Sequence, residues 1–275
     1  MAFGSVSGSA PDTVAAMGRM VYPEMRRAGF SEKFSLGLLV ASAETALLIP
    51  PSITLIVYGW ITGTSISQLF AGGLAVGVVL AAAFAIFVHI QALRSGVTAD
   101  PRLPWGARFH AIWRAKWALG MPVIILGGIY SGVITPTEAA AVSVVYAILV
   151  EMVVLRSLDL KGLVQITEES AINTAIIFVL LAVGGLISFF VTLAQIPAGI
   201  ISMMETAEAG RITFLIVVNL CFFVAGMFID PNSTLLILVP PLFPVAQSFG
   251  IDPVHFGMIA TLNVCLGMIT PPFGL

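Results

Sequence analysis

The sequence predicts an all-α, polytopic integral membrane protein with inverted repeats, two re-entrant hairpins and two helices broken by Pro-Pro pairs. Three observations carry that expectation. Hydrophobic residues make up 59% of the 275 and charged residues 9%, against roughly 25% charged in soluble domains. The apolar blocks extend for about 20 residues, the length a helix needs to cross a bilayer core. Consecutive prolines fall within these blocks at Pro50-Pro51, Pro240-Pro241 and Pro271-Pro272, and the first and last pairs, each beside Ser or Thr, are read as breaks. Proline lacks the amide donor and clashes with the preceding turn, so a helix cannot pass such a pair undisturbed. In lipid, the freed carbonyls are tolerated only where protein, water or a ligand satisfies them. Each break is therefore either a structural kink or an ion and substrate site.

Composition also excludes. A net charge of −2 without a Lys/Arg stripe gives no reason to expect nucleic acid. Cys221 and Cys265 lie inside apolar runs with no motif spacing, so neither a disulfide framework nor a metal site is expected. No charged segment followed by a short apolar run and a cleavage site reads as a signal peptide. The GxxxxGK[ST] phosphate loop is absent, so the chain itself is not expected to hydrolyse ATP. Ser7-Gly8 has no histidine on a clearly facing helix, and a serine without a base is not an activated nucleophile.

Taken in order, residues 1–22 predict a Gly/Ser-rich turn and a short helix from Asp12 to Met20, capped by Asp12 or Ser9. A polar loop follows from Pro23 to Lys33. The first broken helix runs from Ser35 to Gly63, and a Gly- and Ala-rich span from Leu69 to Leu93. Arg94 to Lys116 is basic, with Trp105, Trp113 and nearby Trp117, a pattern that suits a helix lying along lipid headgroups. Two spans, Leu119–Ile134 and Thr137–Leu155, are joined at Thr135-Pro136-Thr137-Glu138. There Thr135 is placed as helix cap, Pro136 first in the helix and Glu138 in its first turn. Arg156–Glu169 reads as a polar linker or amphipathic arm, and Ala171–Leu193 as a span ended by Gln195-Ile196-Pro197. Ile212–Ile229 and Leu235–Phe249, joined through Asp230-Pro231-Asn232-Ser233-Thr234, form a second hairpin. Val254–Ile269 then leads into the second break. Basic loops favour the cytoplasmic side, which places residues 22–34 and 94–116 inside and 244–253 outside.

A shift of 221 positions superposes Pro23 on Pro244, Gly29 on Gly250, Pro50 on Pro271, Pro51 on Pro272 and Thr13 on Thr234. With the two Pro/Gly loops assigned to opposite sides, the halves are expected to be inverted repeats. Broken helices in inverted repeats point to a secondary transporter with its site at the midplane. The expected organisation is repeat 1 over 1–63, scaffold, arm and connecting spans over 64–210, and repeat 2 over 211–275.

Several stretches match a known family. They are Gly4-Ser5-Val6-Ser7-Gly8-Ser9, Thr13-Val14-Ala15-Ala16, Tyr22-Pro23-Glu24-Met25 and Leu48-Ile49-Pro50-Pro51-Ser52-Ile53. Further on come Gly127-Gly128-Ile129-Tyr130-Ser131-Gly132 and Thr135-Pro136-Thr137-Glu138-Ala139-Ala140. Gly250-Ile251-Asp252-Pro253-Val254-His255-Phe256-Gly257 and Gly267-Met268-Ile269-Thr270-Pro271-Pro272 complete the set. In collinear order over essentially the whole chain, the sequence resembles the DctM-like large permease of tripartite ATP-independent periplasmic (TRAP) transporters. The resemblance implies a Na+-coupled importer of small carboxylates such as C4-dicarboxylates or sialic acid, working by an elevator motion in the bacterial inner membrane. It implies a small DctQ-like membrane subunit and a periplasmic DctP-like binding protein as partners, Na+ as coupling ion and no organic cofactor. It also leads us to expect family helices beyond both ends of this sequence, and a small residue where Glu44 stands.

The expected substrate contacts are Ser7, Gly8 and Ser9 at the first hairpin tip, Ser52 at the first break, and Asp230 and Asn232 at the second tip. The expected Na+ contacts are Ser5, Ser7, Glu44, Leu47 and Pro50 in one half, and Asp230, Thr234, Met268 and Thr270 in the other. An acid inside a membrane segment defaults to a functional reading; its plain alternative is a helix cap for Asp230 and a solvated cavity wall for Glu44. Ser42 and Asn263, superposed by the same shift, either support the two sites or make interhelical hydrogen bonds. Two other functions fit the pattern less fully. One is a self-contained Na+/dicarboxylate symporter and the other a channel or membrane scaffold.

Overall fold

A computed structural model describes residues 10–97 and 104–272. Every regular element among them is helical. They are α1 (Ala10–Arg27), α2 (Glu32–Glu44) with a 3-10 turn Thr45–Leu47, α3 (Ile53–Thr62), α4 (Ile66–Arg94), α5 (Trp105–Arg114), α6 (Lys116–Tyr130), α7 (Pro136–Leu149) with a π turn Val150–Val154, α8 (Leu160–Leu193), α9 (Ile196–Thr206), α10 (Arg211–Gly226), α11 (Pro231–Ser248) and α12 (Pro253–Met268). By length and composition α4, α7 with its π turn, and α8 can each cross a membrane. The pair α5–α6 passes the same test only when taken together, and it is bent by 67° at its break. Val78, Val79, Ile86 and Phe87 on α4, and Phe178, Val179, Phe189 and Phe190 on α8, point outward, as a lipid solvent requires.

Several elements differ from expectation. α1 does not stop at Met20 but continues through Pro23 to Arg27. One lost helix bond at a proline costs less than a helix end there, which would leave several backbone groups bare. The residues proposed to cap it, Ser9 and Asp12, lie outside the described side chains. The expected arm 156–169 is not a separate element, because α8 runs unbroken from Leu160. Its polar side chains fold back on the helix itself, with Thr167 Oγ1 donating to Leu163 O at 2.7 Å and Gln165 Nε2 to Glu169 Oε1 at 3.0 Å. Neither glycine nor proline interrupts Leu163–Ala182, so nothing local ends the helix. After the expected stop at Gln195, α9 forms with Pro197 in its first turn, where the missing N–H has no partner to lose.

The chain divides into two compact units, one of residues 1–97 and 180–275 and one of residues 98–179. Segments 1–63 and 211–275 both fall in the first unit; 64–210 is shared between the two.

In the first unit α12 packs along α10, and α3 packs on α11. The contact faces are set by glycines and aromatic rings. A Cβ on Gly226 would lie 2.8 Å from the Val264 carbonyl oxygen, and one on Gly267 2.6 Å from that of Phe223. The two backbones therefore touch, a small-residue crossing of the kind membrane helices use. Phe222, Phe256, Phe243 and Tyr58 form a chain of ring contacts 6.0 to 6.3 Å apart. Tyr58, fully buried, donates its hydroxyl to the Pro253 carbonyl at 2.6 Å, closing a link 195 residues long. α4 lies over the first break, with Gly73 against the Leu48 carbonyl oxygen and Gly77 against Ile49.

The 221-residue shift carries hydrogen bonds as well as residues. Phe30 N donates to Met25 O and Gly29 N to Arg26 O; at the shifted positions Ile251 N donates to Ala246 O and Gly250 N to Gln247 O. These are paired 6→1 and 5→2 helix-ending bonds, which need a left-handed residue between them. Gly29 (φ 98°) and Gly250 (φ 65°) supply it. Each following helix is capped by a side chain, Ser31 before α2 and Asp252 before α12. The Pro50-Pro51 and Pro271-Pro272 bonds are both cis.

In the second unit α6 and α7 form an antiparallel pair. Thr135 and Glu138 make the reciprocal cap read from the sequence: Thr135 N donates to Glu138 Oε2 at 2.7 Å, and Glu138 N to Thr135 Oγ1 at 3.3 Å. The pair is fastened at its other end by Tyr146, whose hydroxyl donates to Trp117 O at 2.8 Å.

Candidate functional site

Short polar side chains bond to backbone carbonyls on the approach to the first break and across it. Ser42 Oγ donates to Leu39 O at 3.0 Å, and Thr45 Oγ1 to Ser42 O at 2.5 Å. Leu48 N and Ile49 N both turn back to Thr45 O, closing the 3-10 turn. Ser52 works in both directions: its hydroxyl donates to Leu47 O across the prolines and accepts from Leu55 N at 3.3 Å, capping α3. α3 therefore begins as a half-helix whose N-terminus lies at the break, with Ser52 and Thr54 fully buried. Thr54 Oγ1 has no hydrogen-bond partner. α1 packs against the 3-10 turn, which puts the helix that follows residues 1–9 beside the break. Ser5, Ser7, Gly8 and Ser9 themselves lie outside the described residues.

Glu44 closes α2 with only 2% of its surface exposed, and neither carboxylate oxygen has a partner. It lines a cavity of about 40 Å³ with Ala41, Thr45, Leu48, Leu80, Phe84 and Cys265 among its walls. The space is the size of a water or two, and apart from the carboxylate its side-chain lining is almost all hydrocarbon; the Thr45 hydroxyl beside it is already bonded to Ser42 O.

In the second half, different side chains make the caps and carbonyl captures. α10 and α11 meet at a tight turn, Met227 to Asp230. Asp230 caps α11, its Oδ2 accepting from Asn232 N and Ser233 N, each at 3.1 Å. An acid at a helix N-terminus is favoured both by these bonds and by the helix dipole. Asn232 Oδ1 is buried without a partner, and Thr234, fully buried, lies 3.4 Å from Ile229 O. Met268 ends α12, and Thr270 Oγ1 donates to Leu266 O at 2.9 Å just before the prolines. Because Gly226 rests on Gly267, the foot of the α10–α11 turn lies beside this second break. Asn263 makes the interhelical bond anticipated for it, Nδ2 to Asn219 Oδ1 at 2.7 Å, whereas Ser42 bonds only within its own helix.

Of the residues expected to meet, Leu47, Pro50 and Ser52 come together at the first break, with Glu44 one turn behind. Asp230, Asn232 and Thr234 share the first turn of α11, and Met268 and Thr270 stand at the second break. Sequence reasoning missed the glycines that press neighbouring helices onto the breaks, Gly73 and the Gly226–Gly267 pair. Their signal was present in the Gly72-Gly73 doublet of an Ala-rich span, but a small residue in a membrane helix does not announce its partner. It also missed the unpartnered hydroxyls of Thr54 and Thr261.

Apolar helices of spanning length, and a helix stopped by paired prolines at a buried Ser52 and Thr54, define a multi-pass membrane protein. The family described as "Tripartite ATP-independent periplasmic transporter, DctM component" matches residues 1–275, and the chain belongs to it. That family comprises transporter permeases rather than enzymes. The ectoine TRAP transporter large permease protein TeaC of Halomonas elongata is 46% identical over 272 residues, covering 99% of this chain and 64% of that protein. The C4-dicarboxylate TRAP transporter large permease protein DctM of Pseudomonas aeruginosa is 38% identical over 275 residues, 100% of this chain and 64% of that protein. The sialic acid TRAP transporter large permease protein SiaM of Vibrio cholerae is 36% identical over 273 residues, 99% and 64%. The chain thus spans 64% of the length of these curated relatives.

Proposed function

We propose that the chain is the membrane-permease part of a Na+-coupled, binding-protein-dependent importer of small carboxylates in the bacterial inner membrane. It works with a small DctQ-like membrane subunit and a periplasmic DctP-like binding protein. The observation that supports this best is the paired construction of the two breaks. At each, a half-helix or hairpin helix begins with buried, partly unpartnered oxygen groups at its N-terminus, where the dipole favours an anion. Freed carbonyls lie alongside, where they can replace the hydration of a cation.

In this reading one Na+ is held by the Leu47 and Pro50 carbonyls with Ser5 and Ser7, and a second by Asp230, Thr234, Met268 and Thr270. Glu44 supplies negative charge to the first site from one turn away. The substrate carboxylate is received by Ser7, Gly8, Ser9, Ser52 and Asn232, with Asp230 at the edge of the same pocket. Segments 1–63 and 211–275 move together as inverted repeats in an elevator step. Two relatives named for ectoine, at 46% and 43% identity, and others named for C4-dicarboxylates and sialic acid support a carboxylate-bearing substrate, ectoine included.

Replacing Na+ by choline is expected to abolish uptake by the complete system in proteoliposomes; uptake indifferent to the Na+ gradient would sink the coupling. A finer test separates the two duties of Asp230. Asparagine caps a helix nearly as well as aspartate, whereas alanine loses about 1 kcal/mol. Asp230→Asn is thus expected to melt with the unaltered protein yet need at least tenfold more Na+ for half-maximal uptake, while Asp230→Ala loses stability as well. An Asp230→Asn protein with unchanged Na+ dependence would reduce Asp230 to a cap.

A further inference from the structure

We propose that the α5–α6 elbow is a binding site for anionic phospholipid headgroups. α5 ends at Arg114 and α6 begins at Lys116, with the axes bent by 67° at Ala115. With α6 along the membrane normal, that bend lays α5 close to the bilayer plane. The sequence of α5 suits the position. Trp105, Phe109, Ile112 and Trp113 share one side of the helix, are 58 to 80% exposed, and none of the ten α5 residues is buried. Among the described residues nothing covers that side, and the headgroup–acyl boundary is an environment that accepts a short helix apolar on one face.

The charge on the elbow selects among lipids. Residues 104–137 carry Arg108, Arg114 and Lys116 and no aspartate or glutamate. Two of these cations are held rather than free. Arg108 Cζ lies 5.1 Å from the centre of the Trp105 ring, and Lys116 Nζ lies 4.3 Å from Trp113 and 5.2 Å from Trp117. A ring face attracts a cation without neutralising it, so each ammonium or guanidinium stays available to a phosphate. The indole N–H groups add donors at the same depth. His110, Gly106, Phe109 and Trp113 line an open groove of about 360 Å³ on α5, wide enough for part of an acyl chain. Held cations over aromatic rings, an acid-free stretch and an apolar face at one depth are what a phosphatidylglycerol-type headgroup, with one phosphodiester charge, would select over a zwitterionic one.

Three of the four tryptophans sit in this elbow, and Trp60 is the other. The test uses the complete permease complex carrying Trp60→Phe, with the partner subunits' tryptophan signal subtracted, in nanodiscs containing brominated phosphatidylglycerol or brominated phosphatidylcholine. Fluorescence quenching is expected to be markedly stronger with the anionic lipid. Each surface cation contributes about fivefold to anionic-lipid association, so Arg108→Gln with Lys116→Gln is expected to lower the phosphatidylglycerol preference by about 25-fold. Arg108→Lys with Lys116→Arg should keep it. Equal quenching by both lipids would overturn the headgroup preference while leaving the elbow at the interface. No quenching by either would overturn the interfacial placement itself.

Discussion

Gly73→Ala is expected to be among the most damaging single-methyl changes in the chain. A Cβ at this position falls on the Leu48 carbonyl oxygen and lies 2.8 Å from Leu55 Cδ1. The first of these is backbone, already fixed by the 3-10 turn before Pro50-Pro51, and cannot rotate away as a side chain would. Either α4 moves outward or the break is reshaped. Forced methyl groups in packed interiors cost about 1 to 3 kcal/mol, and a backbone partner puts this one at the upper end. Gly37→Ala on α2 is the contrasting control. It meets nothing within 4 Å, and alanine there should raise stability by about 0.5 to 1 kcal/mol through helix propensity alone. Thermal unfolding in detergent should therefore separate the two variants in opposite directions. Uptake should fall with Gly73→Ala even at temperatures where the protein stays folded. Equal melting temperatures would show that α4 does not rest on the break.

Glu44 is expected to be costly to stability and valuable to transport. Its carboxylate is buried among Leu48, Leu80, Phe84 and Cys265 with no hydrogen-bond partner, and an unpartnered polar group costs about 1 to 3 kcal/mol to bury. Glu44→Met keeps the volume and removes the polar atoms, so it should raise the melting temperature. Glu44→Gln keeps the shape and removes the charge. If the carboxylate balances a Na+ held at the Leu47 and Pro50 carbonyls, both variants should need about tenfold more Na+ or more for half-maximal uptake, because one charge within a turn is worth more than 1.4 kcal/mol in a partly dry site. A stabilised protein with weaker Na+ dependence is the trade-off expected of a group kept for function. A stabilised protein with unaltered Na+ dependence would remove Glu44 from the ion's surroundings.

Much of the fold was readable in the residues because its signals are local. Apolar runs of spanning length, the prolines that stop them, Ser31, Thr135, Asp230 and Asp252 at helix starts, and Gly29 and Gly250 at helix ends act within a turn or two of themselves. The helices α3, α4, α7, α10, α11 and α12 accordingly lie within a few residues of their expected bounds. Reading failed where local signals conflict. Pro23, and the Pro240-Pro241 pair with Pro244, each forbid helix bonds, yet a chain in lipid has no cheaper way to satisfy the rest, and α1 and α11 carry on through them. Polar residues 165–170 suggest a linker, yet they bond back onto their own helix and α8 continues.

The candidate site divides along the same line. The sequence by itself determined which residues could serve a break: the prolines that free carbonyls, the short hydroxyls that recapture them, and the acids too costly to be idle. Only the tertiary structure decided what each one faces. Glu44 looks out on hydrocarbon because Leu80, Phe84 and Cys265 arrive from two other helices. Gly73 must be glycine because Leu48, 25 positions earlier, turns its carbonyl toward α4. Asp230 spends one oxygen on its own helix. Tyr58 ties the first half-helix to Pro253, 195 residues away. Caps and breaks are decided by bonds within a turn, and so they are written in the order of the residues. Burial and charge balance are decided by whichever distant segments fill the space around a side chain, and the chain must fold before they exist.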